Sequence, residues 1–170
     1  MSLKLREIAL FAMYGALIFV SKLVLEMLPN VHLIGVFVVV LTVVYRSKAL
    51  YPIYIFVFML GLYNGFSLWW FPYLYLWTVL WGAVMLLPKN MPKEIAPAVY
   101  MIVCALHGVL YGTLYAPAQA IMFGLNFEKM CIWILNGLPW DLVHGTSNFI
   151  CGILIIPLVK AIRRADRNAV

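Results

Sequence analysis

Charged residues are scarce in this 170-residue chain, and long parts of it contain none. No Asp, Glu, Lys or Arg occurs in residues 49–88 or in residues 95–127. Each of these runs exceeds the roughly 20 residues that an α-helix needs to cross a bilayer. With 66% hydrophobic residues, the composition excludes an ordinary soluble domain. The sequence therefore predicts an all-α integral membrane protein.

Other features that are missing narrow the range of functions. Only Cys104, Cys131 and Cys151 are present, without a CxxC pair, so we expect free thiols rather than disulfides or a metal site. No Walker-type glycine loop occurs, so we expect no nucleotide-binding module in these residues. Active transport would then need a partner or an ion gradient. The formal net charge of +6 is spread over several loops, which indicates membrane topology and lipid contact rather than nucleic-acid binding.

The positive charges recur in every second loop between the apolar stretches. Lys and Arg close to a span resist translocation, so the loops that carry them are expected in the cytoplasm. Outside this pattern lie only Lys22 and Lys129. The pattern predicts a single membrane domain of six transmembrane helices with both termini inside. The predicted spans cover residues 8–28, 32–45, 50–66, 72–88, 97–123 and 139–162.

Proline marks the expected start of three of these helices. Pro72, Pro97 and Pro139 suit the first helical turn, where a missing N–H leaves no bond unmade. The sixth helix is therefore predicted to begin at Pro139. Residues 125–138 are predicted to form an external segment with a possible short helix.

Three polar residues share one face of the sixth predicted helix. Asp141, His144 and Asn148 are spaced i, i+3 and i+7. Asp141 is expected in the first turn, where the helix dipole favours a negative charge. Polar groups are costly in lipid, so this face should point to the protein interior or to a cavity. Alternatively, Asp141 caps the helix and the other two only join helices.

The fifth predicted helix carries a second polar face. His107, Tyr111, Tyr115 and Gln119 are each four residues apart, so hydrogen-bonding groups recur at every turn. Structural bonding between helices and contact with a ligand are both compatible with this spacing.

Aromatic residues gather at the outer end of the third and fourth predicted helices. Trp70 lies in this group, and Tyr73, Trp77 and Trp81 form an i, i+4 stripe that enters the membrane. Such a stripe can stack on a flat ring. Aromatic belts are also common at membrane interfaces without any ligand, so both interpretations stay open.

The first predicted helix has two different halves. Its outer half holds Lys22 and Glu26 at i, i+4, which favours an ion pair, and Asn30 and His32 follow in the next loop. Its inner half presents small residues, which allow another helix to approach closely in lipid. These small residues are Ala9, Ala12, Gly15 and Ala16. The outer half of the molecule is thus predicted to hold a polar and aromatic pocket, and the inner half a docking surface.

This combination resembles the substrate-binding S component of energy-coupling factor (ECF) vitamin transporters. The resemblance covers the whole chain in length, six spans, cytoplasmic termini and a basic cytoplasmic side. The run Ala12-Met-Tyr-Gly-Ala16 is similar to the AxxxA motif by which the first helix of S components packs on the T component. The segment Gly-Leu-Pro-Trp-Asp141-Leu-Val-His144 to Asn148 is similar to that of several uncharacterised S components.

The resemblance implies a six-helix S-component bundle in a bacterial or archaeal plasma membrane. It would bind a vitamin or vitamin precursor outside and topple to release it inside, driven by the T component and two ATPases. It would be no enzyme and would need no cofactor or metal. The docking residues would be Ala9, Ala12 and Ala16. The implied substrate-binding positions are Asn30, His32, Trp70, Tyr73, Trp77, Tyr111, Tyr115, Gln119, Asp141, His144 and Asn148.

The residues leave the substrate open. The aromatic stripe favours a flat heterocycle. Asp141 and Glu26 would suit a cationic or N–H-rich group, whereas Lys22, His32 and His144 would suit an anion.

Two other functional classes remain as alternatives. An intramembrane enzyme would use His144 as general base with Asp141 orienting it, or would hold a metal with His107, although no nucleophile with a dedicated base is evident. A small channel or ion-coupled carrier would need charge inside the membrane, and only Lys22 and Glu26 lie clearly within a span.

Overall fold

The computed structural model describes residues 4–168, which form helices and no strand. Three short 3-10 helices occur at Arg46–Ala49, Leu68–Trp70 and Gly152–Leu154. The α-helices are α1 (Leu5–Val24), α2 (Ile34–Tyr45), α3 (Leu50–Asn64), α4 (Tyr73–Leu86), α5 (Ala96–Val109), α6 (Tyr111–Phe123), α7 (Phe127–Cys151) and α8 (Ile155–Asn168).

Four helical stretches in the described residues are long and apolar enough to cross a membrane. They are Leu5–Val24, Ile34–Asn64, Ala96–Phe123 and Phe127–Arg167. The all-helical class is therefore confirmed, and the molecule is compatible with a multi-pass membrane protein. The helices α2, α3 and α4 have 12, 15 and 14 residues, each short of the roughly 20 needed for a full span. Six spans, and the orientation of the chain, stay predictions.

The helical run between α2 and α3 is interrupted at Arg46. This residue has a φ of 53°, in the left-handed region that a non-glycine side chain seldom adopts. Two hydrogen bonds from α4 hold it: the Arg46 guanidinium donates to the Met85 carbonyl at 2.7 Å, and Trp81 Nε1 donates to the Arg46 carbonyl at 3.1 Å. The stretch Ile34–Asn64 is consequently not one straight helix.

The prediction that a helix begins at Pro139 is wrong. The helix begins at Phe127, because the side chain of Asn126 accepts a hydrogen bond from the Lys129 N–H at 2.9 Å and caps it there. It continues through Pro139 to Cys151. An interior proline removes one backbone donor, which membrane helices tolerate when neighbouring groups compensate. The predicted external segment is thus the first half of α7.

The predicted helix over residues 97–123 is also not continuous. It divides at Leu110 into α5 and α6. Pro117, which lies inside α6, does not cause this division. The break places Tyr111 and Gly112 in the first turn of a new helix, whose N–H groups need partners from elsewhere in the molecule.

The apolar core is centred on α2. Val38, Val39, Val40 and Leu41 are all completely buried, so every side of the middle of this helix is covered, whereas Val43 and Val44 near its end are half-buried. A helix that is hydrophobic all round is an interior helix. Around it, α4 and α8 pack directly on α2, while α1 pairs with α3 and α5 pairs with α7.

Most of the basic residues gather at one end of the bundle. Lys4, Arg6 and Lys48 line one cavity there, and Asp166 lines both this cavity and a second, larger one. The side chain of Lys48 also pairs with Glu7 of α1. The basic residues of the second cavity are Lys89, Lys93, Lys160, Arg163, Arg164 and Arg167. The opposite end holds the loop between α1 and α2 and the connection between α3 and α4.

Candidate functional site

Five buried or half-buried rings meet near the end opposite the basic residues; we call them the ring cluster. The imidazoles of His32 and His144 are 4.5 Å apart between centroids, and Tyr111 lies 5.0 Å from His144. Trp77 lies 5.6 Å from His107, 5.9 Å from Tyr111 and 6.0 Å from His32. His107 also lies 6.1 Å from Tyr111, so each ring lies within 6.1 Å of at least two others.

Each ring comes from a different element of the fold. His32 lies two residues before α2, and Trp77 lies in the second turn of α4. His107 is in the last turn of α5, and Tyr111 opens α6 just beyond the break at Leu110. His144 lies in the second half of α7. The α1–α2 loop and four helices thus converge on one small volume.

Four nitrogen atoms of the ring cluster are buried without a hydrogen-bond partner in the structure. They are His32 Nδ1, Trp77 Nε1, His107 Nδ1 and His144 Nε2. A buried polar atom left unpaired costs about 1–3 kcal/mol, so proteins seldom leave several together. Such a concentration favours pairing of these atoms with water or with a bound polar molecule.

The chemical roles of two of these nitrogens follow from their surroundings. His107 Nε2 lies 3.0 Å from the Leu76 carbonyl, which can only accept a hydrogen bond. Neutral His107 therefore carries its proton on Nε2 and offers Nδ1 as an acceptor. The indole N–H of Trp77 can only donate. The ring cluster thus offers a donor and an acceptor from neighbouring rings.

The described residues contain no group of three His, Cys, Asp or Glu side chains arranged to hold a metal ion. The three histidines of the ring cluster are therefore close to one another without forming such a group.

Two tyrosines extend the ring cluster towards the end of the bundle. Tyr73 lies 6.0 Å from Trp77, and Tyr115 lies 6.3 Å from Tyr111. Trp133 of α7 stacks on Tyr115 at 5.9 Å. Tyr73 also lines a cavity of about 390 Å³ together with Lys22 and Asn64.

Asp141 stabilises the N-terminus of α6 and not that of its own helix, α7. It is the fifteenth residue of α7, so its predicted place in a first helical turn is wrong. Both carboxylate oxygens accept from the Gly112 N–H at 3.1 Å, which caps the N-terminus of α6. Asp141 is 7% exposed. No hydrogen bond joins Asp141 to His144 in residues 4–168.

Asn148 forms a hydrogen bond from α7 to α5 with one of its two amide atoms only. Its Nδ2 donates to the Cys104 carbonyl at 3.2 Å, while its buried Oδ1 has no partner in the structure. The hydroxyl of Ser147, on the preceding residue, is also buried and unpartnered. The face predicted for ligand contact thus serves partly for packing between helices.

Three further predicted binding residues also lie outside the ring cluster. Asn30 is exposed, with a φ of 57° that asparagine adopts more easily than most residues. Trp70 donates its indole N–H to the Val57 carbonyl at 2.9 Å and packs on Phe66, which folds the α3–α4 connection onto α3. Gln119 is half-buried, two turns along α6 from Tyr111.

His107 and Ser147 belong near the site but were not among the predicted binding residues. His107 precedes Tyr111 by four residues, and Ser147 follows His144 by three, so their spacing was a usable signal. For Trp133 no such signal existed, because the sequence predicted an external segment there.

The small residues of α1 divide between two roles. Ala9 and Ala12 are exposed and Ala16 is half-buried. Gly15 is buried instead, and a Cβ there would lie 3.1 Å from the Pro52 carbonyl of α3. The three alanines are therefore largely left out of the packing within the chain.

The ring cluster, the tyrosines beside it and the exposed alanines of α1 are the features from which a function can be argued. No protein-family model, no curated protein and no solved structure matches this chain.

Proposed function

We propose that this protein is the substrate-binding S component of an ECF-type importer in a bacterial or archaeal plasma membrane. It binds a small heterocyclic solute, a vitamin or vitamin precursor, in the ring cluster. It then delivers the solute inward by toppling with a T component and two ATPases. The observation that carries the proposal is the set of four unpartnered ring nitrogens buried among aromatic side chains.

The chemistry of the ring cluster supports a flat, largely uncharged ligand. Aromatic rings stack on other flat rings or meet them edge to face. The Trp77 N–H would donate to an acceptor on the ligand, and His107 Nδ1 would accept from an N–H or O–H. The nearest carboxylate of α7, that of Asp141, is already bound to Gly112. A few placed polar groups in a mostly apolar site are typical of small-molecule binding.

The surface of α1 supports the transport part of the proposal. Ala9 and Ala12 face outward with little side chain, so a helix of another protein can approach closely. Because the sequence carries no phosphate-binding loop, ATP hydrolysis would have to take place on a partner.

The test is native mass spectrometry of the intact protein purified from cells grown in rich medium. We expect a co-purified small molecule, which is then titrated against two matched variants on α4. Trp77→Phe keeps a ring but removes the free N–H, and should weaken binding about 10- to 100-fold. Trp81→Phe removes the N–H that bonds the Arg46 carbonyl, and should leave affinity unchanged.

If both variants bound the solute with equal affinity, the ring cluster would not be the binding site. A solute that is chemically altered by the purified protein would favour the enzyme alternative instead. A tagged chain that retains neither a T component nor ATPases from its native membrane would contradict the ECF assignment.

A further inference from the structure

The larger cavity at the basic end of the bundle is a second candidate binding site; we call it the basic recess. It has a volume of about 970 Å³ and lies between α2, α5, α8 and the α4–α5 loop. Six basic residues line it, and the sequence spacing of Lys160 and Arg164 places them one turn apart on α8. Lys89 and Lys93 contribute from the facing loop.

The charge of the basic recess is not balanced within the described part of the chain. Asp166 is the one carboxylate that lines it, and this group already accepts a hydrogen bond from Tyr45 at 3.0 Å. The ion pairs found among residues 4–168 are Lys22 with Glu26 and Lys48 with Glu7, so they include none of the six basic side chains. A recess with six cations and one engaged carboxylate favours an anionic ligand.

Apolar residues also line the basic recess. Val43 and Val44 of α2 and Ile156 and Val159 of α8 line it, and Val159 is only 5% exposed. A free inorganic anion gains nothing from such a surface. A phosphate group that carries hydrocarbon chains satisfies both parts of the recess, because its charge meets Lys and Arg while its chains cover the apolar residues.

We propose that the basic recess binds an anionic phospholipid, with the headgroup phosphate held by Lys160, Arg164 and the facing lysines, and the acyl chains along α2 and α8. This inference does not depend on the proposed transport function. It also differs from the general attraction of a basic protein surface to anionic membranes, because it assigns the binding to one cavity.

The experiment measures retention of phosphatidylglycerol by the intact protein in native mass spectrometry, with phosphatidylcholine and inorganic phosphate as separate probes. Lys160→Gln/Arg164→Gln removes two cations from the recess and should lower phosphatidylglycerol affinity about tenfold or more. Arg163 is left intact, since it donates to the Val43 carbonyl. The control, Lys4→Gln/Arg6→Gln, removes the same charge beside the recess and should change affinity less than about twofold.

Three results would overturn the proposal: equal losses in both double variants, equal retention of phosphatidylcholine, or displacement of phosphatidylglycerol by inorganic phosphate alone. If the double variant does not fold, as judged by circular dichroism, Lys93→Gln on the facing loop provides the same comparison. Unchanged phosphatidylglycerol affinity in a folded Lys93→Gln protein would equally contradict the assignment.

Discussion

At the residue scale, Asp141 shows how a single side chain stabilises a break in another helix. The division at Leu110 leaves the first N–H groups of α6 without intrahelical partners. Asp141 supplies an acceptor to Gly112 from α7, in a position that is 7% exposed. A carboxylate at a helix N-terminus is favoured both by the hydrogen bond and by the helix dipole.

Asp141→Ala should therefore lower stability by about 1–3 kcal/mol, because it leaves the buried Gly112 N–H unpaired. Apparent melting temperature in detergent is the measurement. Asn126→Ala is the matched control, since Asn126 caps α7 at an exposed site and its loss should cost about 1 kcal/mol. A larger drop in the control than in Asp141→Ala would show that the cap on α6 is not important for stability.

At the element scale, α5 and α7 approach so closely that their backbones touch at two glycines. A Cβ on Gly108 would lie 2.8 Å from the Cα of Gly145 and 2.8 Å from Asn148 Nδ2. Small residues permit this approach between membrane helices, where dispersion and hydrogen bonds replace the hydrophobic effect. The crossing fixes the distance between His107 on α5 and His144 on α7.

Gly108→Ala is expected to be destabilising, because backbone atoms of α7 must move to admit the methyl group. By contrast, Gly82→Ala on α4 should raise stability by about 0.5–1 kcal/mol, since no atom lies within 4 Å of its Cβ and alanine favours the helix. Thermal unfolding of both variants in the same detergent measures the two changes in stability. If Gly108→Ala matched Gly82→Ala, the close crossing would not exist in the folded protein.

The bounds of helices were predicted well from the sequence where a local signal was strong. They were predicted poorly where contacts with residues distant in the sequence determine them. The start of the first helix was predicted within three residues, and Pro97 lies in the first turn of α5 as predicted. Pro72 lies one residue before α4, not inside its first turn. The prediction that a helix begins at Pro139 was wrong, because the cap at Asn126 and packing of α7 on α5 outweigh the one hydrogen bond lost at the proline. The break at Leu110 had no local signal, since its partner Asp141 lies 29 residues away.

At the scale of the whole molecule, the alternation of charge was the strongest sequence signal. The structure brings most of these basic residues together at one end of the bundle, while their cytoplasmic location stays a prediction. The candidate site was only partly predictable. Of the binding residues that the resemblance implied, His32, Trp77, Tyr111 and His144 lie in the ring cluster, whereas Asn30, Trp70 and Gln119 lie outside it. That the ring cluster binds a ligand stays a prediction. Proximity between rings on different helices depends on packing that no local pattern contains.

The proposed docking surface gives a test of how the whole molecule works. Ala12→Trp should prevent co-purification of a T component and abolish uptake, because the indole keeps the partner helix at a distance. Solute binding in detergent should be unchanged. Met13→Trp is the control on the same helix, as Met13 is already large and 57% exposed. Retention of the T component by Ala12→Trp, or equal loss in both variants, would exclude this surface as the interface.

One ring of the cluster, that of His32, belongs to a residue outside the helices. His107 and His144 are held by two helices in backbone contact, whereas His32 is carried by the nine-residue connection between Val24 and Ile34. Such segments open at far lower free energy than packed helices. Under the proposed function, the residence time of a bound solute would therefore be set by how often this connection lifts His32 away from Trp77. The solute's contacts with the helices would mainly determine the specificity of binding.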